Sequence, residues 1–205
     1  MKNYNLILLQ IYNNLFAFIK YRNLISRDDQ LTDNEFNKKI QINKYILIKT
    51  DDIEGNLVNI LLLHNNTEYN SKAVDFKKLI NSIDKTGKII IISKDNITTF
   101  INKHINDLQI IKSNIDNYTY MHLSIIIPEH ISCVPHRILP IEEEEELLNS
   151  VLYVDKKNLQ VICINDPMVI WIGGKVGNVI EIKRSSEITG ECIAYRRVTN
   201  DLISY

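Results

Sequence analysis

Residues 161–184 read VICINDPMVIWIGGKVGNVIEIKR, and this stretch decides the fold of the second half of the chain. Val161-Ile162-Cys163-Ile164 is a short apolar run of strand type. Asp166-Pro167 follows, an acidic capping residue ahead of a proline whose fixed φ suits the first helical turn. The spacing predicts a short helix through Trp171, stopped at Gly173-Gly174. Val179 to Arg184 is a second strand. Ser185 to Gly190 links it to a third, Cys192 to Val198. Strand, helix, strand and strand in that order make a small α+β domain.

Working outward from this unit, the prolines mark where it begins. All four fall at or after position 128 (Pro128, Pro135, Pro140, Pro167), together with four of the six glycines. The boundary is expected at Pro128, giving domains of 1–127 and 128–205. A helix is expected after Pro140, because Glu142 to Glu146 place carboxylates in its first turn, where the helix dipole favours them. Residues 1–127 alternate helices and strands. Leu8, Ile11, Tyr12, Leu15, Phe18 and Ile19 repeat at helical spacing and predict an amphipathic helix from about Leu6 to Tyr21. Thr32 with Glu35 fits a capping box that opens a second helix. Ile46-Leu47-Ile48 and Leu57 to Leu63 read as strands joined by the polar turn Asp51 to Asn56. Lys72 to Ile83 and Ile97 to Ile105 read as helices. Lys88 to Ile92 is a strand apolar on both faces. Ile110-Ile111 and Leu123 to Ile127 read as the remaining strands, so this half is of α/β type.

Composition excludes several classes. The 205 residues are 45% hydrophobic and 24% charged, which suits a folded chain with a real core and not a disordered one. The apolar run Leu6 to Leu9 ends at Gln10 without the small-residue cleavage site of a signal peptide, and no run reaches membrane-spanning length. Three cysteines at wide spacing argue for a reducing compartment and against a disulfide framework. Residues 1–127 carry 16 Lys and Arg against 13 Asp and Glu; residues 128–205 carry 8 against 12. Neither half is basic enough to hold DNA by phosphate neutralisation alone.

His130 to Arg196 carries an ordered set of short motifs: His130, Pro135-His136, Glu142-Glu143, Leu147-Leu148, Asp166-Pro167, Trp171, Gly173 and Gly177. Arg184-Ser185-Ser186-Glu187-Ile188-Thr189-Gly190 and Tyr195-Arg196 complete it. In order and spacing this segment resembles the C-terminal domain of the fifth subunit of multisubunit DNA-directed RNA polymerases, a family common to archaea and eukaryotes. Departures are local. Pro135 and His136 are adjacent where the family has one residue between them, and Pro140 stands for a capping Ser or Thr. Ser185, Ile188 and Thr189 replace Pro, Thr and Ala. Such drift implies a polymerase of a large nucleocytoplasmic DNA virus, where the subunit serves one enzyme.

The resemblance implies a non-catalytic subunit with an α+β fold overall. It implies an N-terminal α/β jaw domain of restriction-endonuclease-like fold near downstream DNA, and a C-terminal assembly domain docked on the largest subunit. The Mg²⁺ chemistry then belongs to the two large subunits, with no cofactor, membrane or small-molecule substrate here. The expected location is the virion and cytoplasmic viral factory, or the nucleus for a cellular member. Expected interface residues are His130, Pro135, His136, Asp166, Pro167, Trp171, Arg184, Glu187, Gly190 and Arg196. Lys94, near the end of a predicted strand, is the candidate for a DNA contact. Two other readings remain: an interaction module of another assembly, and a metal-dependent nuclease.

Read as chemistry, the residues give little. His130, Cys133 and His136 with Cys163 and Cys192 offer zinc-type ligands, but no Cys-x-x-Cys pair exists, and a cysteine within an apolar strand packs as a small hydrophobe. Asp51, Asp52 and Glu54 lack the Glu-x-Lys of a metal nuclease and suit a solvated hairpin tip. Gly173 to Gly177 precedes a strand and lacks the Lys-Ser/Thr of a phosphate loop. Glu142 to Glu146 read as a solvated helix face, and Trp171 as core or interface packing.

Overall fold

A computed structural model describes residues 2–64, 79–80, 83, 87–94, 115–149, 155–186 and 190–200. The chain divides into two compact units, Met1–Ile125 and Ile126–Tyr205. The division lies two residues before the proline chosen from sequence.

The first unit opens with α1 (Lys2–Tyr21), whose spaced apolar residues Leu8, Ile11, Tyr12, Leu15, Phe18 and Ile19 are all buried. Asn23, at φ 55°, and backbone bonds from Asn23 to Lys20 and Leu24 to Ile19 end it in a left-handed cap. A two-residue strand, β1 (Ile25–Ser26), follows. The helix α2 (Asp33–Ile42) begins where the capping box was read, with the Glu35 carboxylate accepting from the Thr32 amide at 2.9 Å. Its Phe36 packs on Tyr12 with ring centroids 4.7 Å apart.

Strands β2 (Tyr45–Asp51), β3 (Leu57–Leu63), β4 (Lys88–Ser93) and β5 (Ile115–Thr119) join β1 in one sheet, ordered β1-β2-β3-β4-β5. The first three are antiparallel, and β3, β4 and β5 are parallel. Apolar side chains cover both faces of β3 and β4, so these strands read as continuous runs. Leu79, Ile80 and Ile83 pack on Leu61, Leu63, Ile89 and Ile91. The rest of the helix predicted over 72–83, the helix over 97–105 and the strand at Ile110-Ile111 lie outside the described residues.

One prediction is corrected. Leu123 to Ile127 is not a strand. The edge strand is β5, and the chain then turns into a short helix, α3 (Tyr120–Leu123). His122 Nδ1 accepts from the Thr119 amide at 3.1 Å, which starts the turn. Leu123 is buried, and its carbonyl accepts from the Asn14 side chain at 2.8 Å. Gln10 donates to the Ser124 carbonyl at 3.1 Å. These tertiary bonds satisfy the backbone that a strand would have paired, and they override the β-propensity of the isoleucine run.

The second unit holds β6 (His136–Ile138), α4 (Ile141–Leu147), β7 (Gln160–Cys163), α5 (Pro167–Ile172), β8 (Val179–Ser186) and β9 (Gly190–Thr199). Its sheet is ordered β6-β8-β9-β7. Alternation along the strands sends Ile162, Ile180, Ile182 and Val198 to one face, where they pack on Val169 of α5. Val179 goes to the other face with Leu139, Leu159 and Leu147 of α4. Asp166 caps α5 through the Met168 amide at 2.9 Å, and Gly173, at φ 75°, ends it.

Gly87 gives a direct test of packing in the first unit. A Cβ there would stand 2.0 Å from the Leu57 carbonyl oxygen, which is backbone and cannot step aside. Gly87→Ala should destabilise the chain by about 1–3 kcal/mol or more. Chemical denaturation with an unchanged midpoint would contradict the tight β3–β4 approach.

Candidate subunit-docking surface

The residues singled out from sequence fall into two sets. Asp166 and Pro167 start α5, and Trp171 is fully buried. Gly190 occupies a left-handed position at φ 77° where β9 begins. These residues shape the backbone of the unit, and Pro167 and Gly190 are at the same time exposed. Glu187 lies outside the described residues.

The second set is at the surface. His130 is exposed, its Nδ1 accepting from the Ser132 amide at 3.2 Å. His136 is half-buried with Nδ1 2.7 Å from the Val134 carbonyl oxygen, and Pro135 offers its carbonyl to the Lys183 amide at 3.1 Å. Pro135 and His136 line a groove of about 210 Å³ with Arg137, Glu181 and Lys183. Arg184 is exposed on β8 opposite Cys192, and Arg196 is half-buried on β9 opposite Ile180. Lys94, in the first unit, is exposed just past the end of β4.

The centre of the groove wall is a charge cluster that the motifs did not mark. Arg137 and Glu181 are direct cross-strand partners on β6 and β8, joined at 2.9 Å. The Glu181 side chain is only 8% exposed, so it needs this cation, with Lys183 Nζ a more distant 4.0 Å away. Arg137 also reaches Glu143 on α4 at 2.8 Å. The Arg137 hydrogen bond holds the Glu143 carboxyl below its ordinary range, and the two carboxylates push the guanidinium further up. Burial, then the Glu181 charge, raises the Tyr195 phenol. Glu144 pairs with Lys156. The acidic run is therefore not wholly solvated. The one sequence signal for this cluster was a single Glu inside the apolar strand Val179-Ile180-Glu181-Ile182.

The other candidate chemistry is absorbed by structure. Asp51 pairs with Arg27 at 2.6 Å. Asp52 accepts from the Asn56 side chain at 3.0 Å and, through Oδ1, from the Asn56 amide at 2.7 Å and the Glu54 amide at 3.0 Å, a hairpin-tip cap that lowers its carboxyl. Lys175 donates its amide to Asn178 at 2.7 Å in the turn after Gly173. Among the described residues no three His, Cys, Asp or Glu side chains converge as metal ligands. Cys192 is exposed, contrary to its expected packing in an apolar strand: it sits where β9 runs past the helices that cover the sheet.

Residues 125–198 match the family model described as RNA polymerase Rpb5, C-terminal domain. An archaeal relative, DNA-directed RNA polymerase subunit Rpo5 of Thermococcus kodakarensis, is 42% identical over 36% of this chain and 88% of its own length. This chain belongs to the Rpb5 family of DNA-directed RNA polymerase subunits. The Rpo5 of Nitrosopumilus maritimus matches the same share of the chain at 36% identity. A DNA-directed RNA polymerase RPB5 homolog of African swine fever virus is 25% identical over 95% of this chain and 98% of its own. The Rpb5 match thus covers nearly the whole second unit, and a viral Rpb5 homolog extends it across the first. Among the described residues no helix is long and apolar enough to cross a membrane.

Arg137→Met removes the cation and keeps the aliphatic stem. Stranding the Glu181 carboxylate should cost about 1–3 kcal/mol near neutral pH. Because the folded-state carboxyl of Glu143 titrates below its ordinary 4.5, its share of the stability is present above that pH and is lost as the pH falls through the lowered value. The stability gap between wild type and Arg137→Met should therefore narrow on acidification. A gap that widens would contradict the pairing.

Proposed function

We propose that the second unit anchors this subunit on the largest polymerase subunit, and that the first supports the jaw around downstream DNA. The observation that carries the reading is the surface of the β8–β9 hairpin. Beyond Ile182 and Ala194 the two strands continue with Lys183, Arg184 and Ser185 facing Ile193, Cys192 and Glu191, all exposed. A ribbon of charged and apolar residues outside the core does little for a free domain and suits a partner. It lies inside the segment that matches the family model. The subunit contributes no catalytic group and no cofactor, and Mg²⁺ belongs to the large subunits. The end-to-end viral relative supports work in a virion or viral factory. The Asp51 carboxylate, paired with Arg27, and the Asp52 carboxylate, bonded within the hairpin tip, give a nuclease reading no support.

Arg184→Ala and Glu187→Ala should leave the free chain folded and weaken its retention on the largest subunit. Truncating one partner of a desolvated charged contact costs about 2–5 kcal/mol, against about 0–1 kcal/mol for an exposed pair. Retention by co-purification, read beside thermal unfolding of the free chain, checks it. Equal retention of variant and wild type would remove these residues from the interface.

Any DNA contact is assigned to the first unit, with Lys94 as the candidate. Residues 1–127 carry only a mild excess of basic residues and the whole chain has a net charge of −1, so the free chain should bind duplex DNA no better than about 1 μM at physiological salt. Fluorescence anisotropy showing nanomolar binding would overturn the jaw-support reading in favour of an autonomous DNA-binding protein.

A further inference from the structure

The register of the second sheet determines which backbone groups of the β8–β9 ribbon face outward. Lys183 donates its amide to Pro135, and the Val179 carbonyl accepts from Leu139. The odd-numbered residues of β8 therefore turn towards β6. In an antiparallel pair, a residue whose amide and carbonyl point away from the ladder faces another that does the same. Those partners on β9 are Glu191, Ile193, Tyr195 and Arg197. Val198, of the opposite parity, bonds back to Asn178 and Gly177 on the β8 side, as the alternation requires. Glu191, Ile193 and Tyr195 thus present N–H and C=O groups along the far edge of β9.

β7 occupies that edge only from Arg196 to Thr199. From Gly190 to Tyr195 no described strand pairs along it. Exposed edges are usually guarded by Lys, Pro or a bulge. This one carries neither residue, Glu191 is the one charge between Gly190 and Tyr195, and its pairing with β8 runs one-to-one without a bulge. It carries instead an exposed apolar residue, Ile193, at 46% exposure.

A second observation concerns charge. Even-numbered positions of the ribbon share one face, and the charged residues among them, Arg184 and Arg196, are both basic. Arg196 stands opposite Gln160, the first residue of β7. Its Nε and that of Arg197 are buried with no hydrogen-bond partner among the described residues. Buried guanidinium donors call for an acceptor, and an anionic group arriving along the edge is the chemistry that fits.

We propose that the β9 edge from Glu191 to Tyr195 receives an extended segment of the largest subunit as an added strand. That segment places an apolar side chain beside Ile193 and a carboxylate within reach of Arg196. Main-chain bonds supply the attachment, and the arginine face selects an acidic strand. The inference rests on the docking reading above and specifies how the docking is made.

The test compares Ile193→Pro with Ile193→Thr in polymerase reconstituted with the full chain. Proline removes an outward amide and no β8–β9 bond, whereas threonine keeps the amide. Retention on the largest subunit should fall at least about tenfold for Ile193→Pro and stay within about twofold for Ile193→Thr. Hydrogen exchange on the wild-type complex serves if the proline variant does not fold. The Glu191, Ile193 and Tyr195 amides should slow by at least about 100-fold on assembly. Retention of Ile193→Pro, or unchanged exchange, overturns strand addition. If Arg184→Ala is lost at the same time, the docking reading survives that result. If both variants are retained, the docking reading falls with it. Concentration-dependent dimerisation of the free chain that Ile193→Pro abolishes would assign the edge to a second copy and overturn the proposed occupant.

Discussion

Glu181 is a carboxylate inside an apolar strand, and the second unit is arranged around neutralising it. Its neighbours Ile180 and Ile182 point to the α5 face, which places Glu181 on the α4 face among buried groups. A charge there is tolerable only with a cation in good geometry. Arg137 provides it from β6, a strand of only three residues that would otherwise hang on the sheet by few backbone bonds. The same guanidinium reaches Glu143, so one side chain joins the edge strand, the central strand and a helix. Glu144, paired to Lys156, holds the far side of that helix. The groove beside Pro135 and His136 takes its shape from this cluster, because Arg137 and Glu181 form its wall.

Much of the fold was legible because its signals are local. Asp166-Pro167, Gly173, the Thr32–Glu35 box and the apolar stripe of α1 each satisfy a requirement of their own backbone within a few residues. Strand runs buried on both faces, such as Lys88 to Ile92, are legible for a similar reason: no alternation is needed where no face meets water. The failure at Leu123 to Ile127 has the opposite cause. The Asn14 and Gln10 side chains that donate to the Leu123 and Ser124 carbonyls come from more than a hundred residues away. The strand Ile115-Asp116-Asn117-Tyr118-Thr119 carries no apolar alternation to mark it, because its polar groups also have distant partners. Tyr118 accepts from Arg22 at 2.8 Å, and Arg22 lies over the Phe18 ring at 4.3 Å. Asp116 pairs with Lys88 at 2.6 Å.

The site was less legible than the fold, and the residues explain why. The motif that carried the family resemblance is largely a motif of construction: a cap, a proline at the first helical turn, a buried indole and a glycine with positive φ. Those requirements belong to the domain whatever it binds, so they are the first features a reader meets. The groups that line the groove and the sheet edge follow no local rule. Arg137 and Glu181 lie far apart in the chain and join only through strand register. The outward amides of β9 have no side-chain signature at all, since any residue there would offer the same N–H.

That separation has a mechanical consequence. The residues that build the second unit are concentrated between α4 and α5, where Leu147, Val169, Val179, Ile180 and Val198 are buried. Lys183, Arg184 and Ser185 on β8 and Glu191, Cys192 and Ile193 on β9 are exposed beyond that cover and add little apolar burial of their own. Their side chains can therefore change without changing the fold, provided the strand pairing and the Gly190 turn persist. Ser185 departs from the family pattern on the exposed part of β8, while Asp166, Pro167 and Gly173, which start and stop α5, do not.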